Sequence, residues 1–323
     1  MKYQALGNTG LMVSRLCFGS LTISPLQANL PPEEGAEVIL AALAGGVNFI
    51  DTAEYYQNYR TIALALLQFG REVHVASKSY AVTGRQMRES LYRALDGLGV
   101  SQLAAFLLHE QESAATLRGH REALEYLVAA KEQGLIKAVG LSTHYIAGVY
   151  AAAASPEIDL IHPLINRAGI GIVDGTRDEM LAAIRFARQM GKAVYGMKVL
   201  AGGHLHRELR IALEWAFKQP ELDSVAVGMK SIAEVEANLR LVEALDNAAS
   251  VEETELARLF SLSGAGPRHL LVEEWCSGCG KCVRRCPNKA LHIEDGRAVV
   301  NPDACVLCGY CGGVCSDFAL KII

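Results

Sequence analysis

Eight of the nine cysteines fall after position 275, in two runs of one spacing: Cys276, Cys279, Cys282, Cys286, then Cys305, Cys308, Cys311, Cys315. A shift of 29 residues superimposes all four cysteines, lays Ala290 and Leu291 on Ala319 and Leu320, and lays Ile293 on Ile322; the segment is a duplicated half. Three thiolates at C-x-x-C-x-x-C spacing wrap one cuboidal 4Fe-4S cluster, and the fourth, followed by Pro287 in the first run, reaches across to the other. That pattern assigns Cys276, Cys279, Cys282 and Cys315 to one cluster and Cys305, Cys308, Cys311 and Cys286 to a second. Two tetrahedral zinc sites are the alternative, because C-x-x-C pairs also suit zinc. The triple spacing, repeated and with its proline, favours iron.

A second set of residues could move protons. Asp51, Tyr56, Lys78 and His109 each stand at or just beyond the carboxyl end of an apolar run: NFIDTAEYY, VASKS and FLLHE. Taken singly, a tyrosine packs, a lysine snorkels and a loop histidine is merely satisfied. Jointly, a phenol beside an ammonium, a carboxylate and an imidazole is an acid–base set. The ammonium would lower the phenol's reference pKa of about 10 by favouring the phenolate.

The elements that must bring these groups together are eight strand-plus-helix units between residues 15 and 245. Apolar runs such as RLCFG, LAAFLLHE and SVAVGMK alternate with amphipathic stretches such as GRQMRESLYRALDGLG, which end near a glycine. Near-continuous apolar strands separated by helices pair in parallel, and eight such units close a (β/α)8 barrel. Side chains at the carboxyl ends of its strands converge on one mouth. An open doubly wound sheet is the other candidate, but no G-x-G-x-x-G follows the first strand. Ahead of the barrel, YQALGNTGLMVS reads as a β-hairpin closing its bottom, and VEETELARLFSLSG after the eighth unit reads as one more helix. The expected organisation is a barrel domain over 1–262, a linker over 263–271 and a small α+β domain over 272–323.

The tail resembles the bacterial two-cluster ferredoxins. It departs from them in charge, because Lys281, Arg284, Arg285 and Lys289 make it locally basic, which would suit docking of an acidic ferredoxin or flavodoxin. Residues 1 to about 245 resemble the aldo-keto reductase family, through Y-x-x-L-G-x-T-G-L-x-V-S, D-T-A-x-x-Y, the third-strand lysine and the fourth-strand histidine. The resemblance implies a catalytic tetrad: Tyr56 as general acid, Lys78 and Asp51 tuning it, and His109 orienting a carbonyl. It also implies NADP or NAD as cofactor, with Gly19, Ser142, Asn166, Met197, Gly228, Ser231 and Asn238 as contacts. Three positions depart from the pattern. His162 stands where glutamine is usual and Met197 where a tyrosine stacks on the ring, with Tyr195 two residues away. Glu234 replaces an arginine that grips a 2′-phosphate.

The bulk properties narrow the function classes. The chain has 323 residues, 51% of them hydrophobic, yet no apolar stretch long enough to cross a bilayer. Its formal net charge of −4 gives no general attraction to nucleic acid. The N-terminus shows no secretory pattern, so the expected compartment is the cytoplasm. The expected activity is that of an oxidoreductase acting on a small carbonyl or alcohol, with the clusters linking it to one-electron traffic. A flavin would be a natural splitter of electron pairs, although no motif places one. The alternative is a nucleotide-binding redox sensor, or an electron-transfer subunit with a non-catalytic barrel.

Overall fold

The computed structural model describes residues 1–247 and 268–323; the helix expected over 251–264 lies outside them. The opening hairpin pairs β1 (Tyr3–Ala5) with β2 (Met12–Ser14). Its Leu6, Leu11 and Val13 bury themselves with Cys17, Phe49, Ala105, Leu160 and Ala226 inside the barrel. The hairpin therefore closes the amino-terminal end, and Cys17 behaves as a small packed hydrophobe.

Eight parallel strands follow: β3 (Leu16–Gly19), β4 (Phe49–Asp51), β5 (His74–Ser79), β6 (Leu103–Leu108), β7 (Ile136–Thr143), β8 (Leu160–Pro163), β9 (Ala193–Gly196) and β10 (Ser224–Gly228). They close into a barrel, with β10 pairing back on β3. Strand β6 shows why the run is apolar throughout. Its Ala105 and Leu107 fill the interior, while Phe106 and Leu108 join the larger cluster under the surrounding helices.

The helices are α1 (Pro32–Ala44), α2 (Tyr59–Phe69), α3 (Gly84–Leu98), α4 (Ala114–Gly119), α5 (Arg121–Glu132), α6 (Ile146–Ala154), α7 (Arg177–Gln189), α8 (Leu209–Phe217) and α9 (Ile232–Asp246). Capping boxes start three of them, Thr83 with Gln86, Ser113 with Thr116 and Thr176 with Glu179, and satisfy amides that have no partner in the first turn.

In the tail, β11 (Leu270–Val272) pairs antiparallel with β14 (Leu320–Ile322), and β12 (Leu291–Glu294) with β13 (Arg297–Val300). One short helix, α10 (Lys281–Arg285), completes it. Strand β11 begins two residues before the expected boundary at 272.

The tail is seated on the barrel mouth, against the stretch 197–208 that follows β9. Phe318, three residues beyond Cys315, is buried against Leu164 and Met197. It meets the His144 ring edge-on at 5.7 Å between centroids. The Lys321 ammonium lies 3.2 Å from the Phe318 ring centroid and donates to the Phe318 carbonyl. His204 donates through Nε2 to the Leu320 carbonyl at 2.8 Å, and Arg207 donates to the Val306 carbonyl at 2.8 Å. Gly203 sits at φ +86°, and a Cβ there would collide with the Ile322 carbonyl.

Two expectations follow from this seam. Gly203→Ala should destabilise the docked tail by roughly 2 kcal/mol or more, read as a lower unfolding midpoint and faster proteolysis of the tail. Gly313→Ala, with open space around its Cβ, should leave both unchanged. The second concerns His144, whose pKa burial pushes from its ordinary 6.5 down to about 3, with Lys198, Lys321 and His109 adding to the effect and Glu110 opposing it. Above pH 6.5 the ring is neutral in both folded and unfolded chains. Below it the unfolded chain takes up the proton first, so stability falls as pH falls from 6.5 toward 3, by about 2 kcal/mol at pH 5. Denaturant unfolding at stepped pH under anaerobic conditions should show this slope, and His144→Gln should flatten it.

Candidate functional site

The centre of the mouth is a buried ion pair. Lys78, the next-to-last residue of β5, is fully buried and donates to both oxygens of Asp51, at the end of β4, at 2.9 Å each, and to the Thr52 carbonyl at 2.6 Å. Tyr195 in β9 donates its hydroxyl to Asp51 Oδ1 at 2.8 Å. His162 stacks on Tyr195 at 3.8 Å between centroids, donates from Nδ1 to the Tyr195 carbonyl at 2.7 Å, and sets Nε2 3.5 Å from Asp51 Oδ1. Burial alone would raise the Asp51 pKa, yet Lys78 and then His162 hold it well below the usual carboxylate range.

Tyr56 hangs over this pair on a 3-10 turn, Glu54–Tyr56, that ends in left-handed Gln57. One local and three long-range hydrogen bonds fix the turn. Thr52 donates to Asn58 Oδ1 at 2.8 Å, Asn58 donates to the Ser20 carbonyl at 2.9 Å, and Glu54 accepts from Ser79 and Ser90 at 2.7 and 2.8 Å. The Lys78 ammonium stands 4.9 Å from the Tyr56 ring centroid, and the His109 ring 6.1 Å from it, nearly perpendicular. His109 also stacks on Tyr80 at 4.2 Å.

All four residues of the expected tetrad thus meet at one place. Their electrostatics differ from the expectation at one point: burial, followed by Asp51, Glu110 and Tyr80, pushes the Tyr56 phenol well above its ordinary value. Lys78 is committed to Asp51 and Thr52, so it does not draw the phenol toward phenolate, and Tyr56 stands as a protonated donor. Burial and the charge of Lys78 likewise keep His109 neutral, and its Nδ1 has no hydrogen-bond partner among the described residues.

A cavity of about 500 Å³ opens beside the tetrad, and its wall includes Asp51, Tyr56 and His162 together with Gly228, Lys230 and Glu234. That volume lies in the range of cofactor pockets. Of the expected nucleotide contacts, Gly19, Met197 and Gly228 are on its wall. Ser231 caps α9 by accepting from Glu234 N at 3.2 Å, and Asn238 donates to the Glu234 carbonyl at 2.7 Å with its Oδ1 left without a partner among the described residues. Ser142 and Asn166 are not on the wall. The Ser142 hydroxyl accepts from the Glu110 amide at 2.9 Å, and the Asn166 amide ties its own loop to Ile170 at 2.8 and 3.1 Å.

Sequence reasoning missed Lys198, Lys230 and Arg268, which bring positive charge to the cavity, with Arg268 contributed from the start of the tail. A signal for the two lysines existed. Gly-Met-Lys recurs at the ends of β9 and β10, as Gly196-Met197-Lys198 and Gly228-Met229-Lys230. Lys230 and Arg268 flank Glu234, so its carboxylate does not face an incoming phosphate alone.

The cysteines fit iron–sulfur clusters. Cys286, Cys305, Cys308 and Cys311 line one small enclosed space, the crossed set that the spacing assigns to the second cluster. Cys276 and Cys315 lie close enough to Cys282 to raise its pKa, after burial. The repeat extends to the backbone. Left-handed Gly278, Gly280 and Lys289 recur 29 positions on as Leu307, Gly309 and Phe318. The Ala290 amide donates to Cys286 Sγ and the Ala319 amide to Cys315 Sγ, both at 3.3 Å.

Comparison with known proteins agrees with both halves. The aldo/keto reductase family matches residues 15–210, and the 4Fe-4S dicluster domain matches residues 269–316. L-galactose dehydrogenase of Arabidopsis thaliana is 20% identical over 308 residues, covering 79% of this chain and 92% of that protein. An aldo-keto reductase of Mycolicibacterium paratuberculosis is 31% identical over 165 residues, 47% of this chain and 56% of that protein. Polyferredoxin protein MvhB of Methanothermobacter marburgensis is 41% identical over 66 residues, 17% of this chain and 16% of that protein. The structure of an aldo-keto reductase from Bacillus halodurans in its holo form shares the fold, with a TM-score of 0.64 at 20% identity over 81% of this chain and 96% of that one. A match spanning the greater part of the sequence places the chain in the aldo/keto reductase family, as an oxidoreductase with a 4Fe-4S dicluster domain behind its barrel.

Proposed function

We propose that the barrel interconverts a small carbonyl compound and its alcohol with NADP or NAD, and that the clusters exchange single electrons with an external carrier. The observation that carries this reading is the convergence of Tyr56, Lys78, Asp51 and His109 beside the end of one cavity. The nicotinamide, held along Gly19, Met197, Gly228 and Lys230, would supply or accept hydride. What the chain itself does is proton work. A carbonyl oxygen gaining negative charge needs a proton, and Tyr56, kept neutral by burial and by Asp51, is a full donor at neutral pH. His109, also neutral, orients the carbonyl without competing as a cation. Lys78 places a fixed positive charge under the ring on which phenolate develops after transfer.

Names of relatives such as L-galactose dehydrogenase and methylglyoxal reductase DkgA fit a carbonyl or alcohol of small size. The exposed Lys281, Arg284, Arg285 and Lys289 fit an acidic ferredoxin or flavodoxin as the carrier. Eight free thiols reserved for iron suit the reducing cytoplasm. No helix among the described residues is long and apolar enough to cross a membrane.

Tyr56→Phe should lower kcat/KM for aldehyde or ketone reduction by roughly 10²- to 10⁴-fold, with iron, acid-labile sulfide and nucleotide binding unchanged. Steady-state assays on anaerobically purified protein check this. Full activity in the variant removes Tyr56 from the chemistry, and nucleotide binding by the parent protein without turnover of any carbonyl favours the sensor reading.

A further inference from the structure

The tetrad accounts for proton transfer but leaves one cation at the same end of the cavity without a task. Lys198 lines the cavity with Asp51 and Tyr56. Its ammonium makes no hydrogen bond, and no ion pair within 4 Å, to any of the described residues; its recorded neighbour is the Phe318 ring, 5.8 Å from centroid to Nζ. Lys78 is satisfied by Asp51 and Lys321 by the Phe318 carbonyl, and Lys230, on the same cavity wall, has Glu234 beside it. Lys198 also holds a left-handed backbone, φ +58°, a strained conformation for a residue with a side chain. Burial lowers its pKa, opposed by Glu110 and, from the tail, Glu273. Neither carboxylate reaches it.

We infer that Lys198 is the recognition group for a carboxylate on the substrate, so that the barrel acts on carbonyl compounds bearing an acid group, such as oxo acids and semialdehyde acids. This rests on the reductase reading above and specifies its substrate class. A half-buried ammonium facing a cavity without a hydrogen-bond partner is stabilised by an arriving anion, and the charge-assisted hydrogen bond so formed is worth roughly 10- to 100-fold in affinity. The wall also carries the apolar Met197, Val199 and Ile322, beside the polar Asp51, Tyr56 and His162. The placement also explains why the tail is built into the wall. Glu273 and Lys321 of the tail set the local charge around Lys198, and the Phe318 ring lies 5.8 Å from its Nζ.

The test uses the cluster-loaded full chain with phenylglyoxylate and succinate semialdehyde, each beside its methyl ester. The acids should exceed their esters at least 10-fold in kcat/KM. Lys198→Met should raise KM for the acids 10- to 100-fold with kcat within a few-fold, leave the esters unchanged, and leave iron content and unfolding midpoint as in the parent. Lys198→Arg should restore part of the preference. Glu273→Gln, which removes a carboxylate that competes for Lys198, should lower KM for the acids, an effect that a purely structural role for Lys198 would not produce. Acids and esters used equally by the parent, or lost equally in Lys198→Met, would overturn the assignment. Calorimetric titration of phenylglyoxylate separates this inference from the reading beneath it. Binding that depends on Lys198 in a protein that turns over no carbonyl upholds the anion site and sinks the reductase. No binding to the parent, or binding that Lys198→Met retains, sinks the anion site.

Discussion

The barrel mouth is organised around the cost of placing an ammonium in a protein core. Lys78 has no access to water, so its charge must be met within the barrel, and Asp51 meets it with both oxygens. Removing either partner would strand the other charge at about 3–5 kcal/mol. Meeting the charge draws in residues from several strands: Thr52 through its carbonyl, Tyr195 through its hydroxyl, and His162 stacked behind it. Strands β4, β5, β8 and β9 are thereby locked at their carboxyl ends. The same pairing leaves Tyr56 a neutral phenol, because the lysine charge that could have ionised it is already engaged.

The tail depends on the barrel in a comparable way. Its own core is small, Leu270, Leu291, Ala298, Leu320 and Ile322 with the cysteines, which is little apolar area for an independent domain. Cluster ligation and docking supply the rest. The barrel side of the seam is shaped for it. Gly202 and Gly203 are both left-handed and let Lys321 and the Ile322 carbonyl approach, and the His204 ring fills the space a side chain at Gly312 would take. Docking is therefore part of the active site's construction, since Ile322 and Ile323 form cavity wall.

How much of this was legible in the sequence varied with the physics. The eight cysteines and the four tetrad residues could be read because their chemistry is fixed by residue type and spacing, and the barrel because near-continuous apolar runs and helical patterns alternate eight times. Nucleotide contacts were harder. Ser142 and Asn166 have the right chemistry, but their polar atoms are taken by loop amides, a competition that spacing does not reveal. The phenol's pKa ran opposite to the expectation because burial, absent from a one-dimensional reading, outweighed the nearby ammonium. The seam joins Phe318 to His144 and Leu164, more than 150 positions away, and no local pattern encodes such a contact. Lys198 carried a faint signal in the repeated Gly-Met-Lys, whose meaning appeared only when both copies reached one cavity.

The duplication in the tail makes its asymmetry informative. Its two halves share cysteine spacing, left-handed positions and the amide that donates to the last sulfur. At the residue just before that amide's alanine they part: Lys289 is exposed among Arg284, Arg285 and Lys281, whereas its counterpart Phe318 is buried in the barrel mouth. Phe318 fixes the Cys315 half to the barrel, while Arg284, Arg285 and Lys289 leave the Cys286 half exposed and cationic. An aromatic side chain at the same backbone conformation in both halves would bury both faces or neither; lysine at one and phenylalanine at the other is what orients the module.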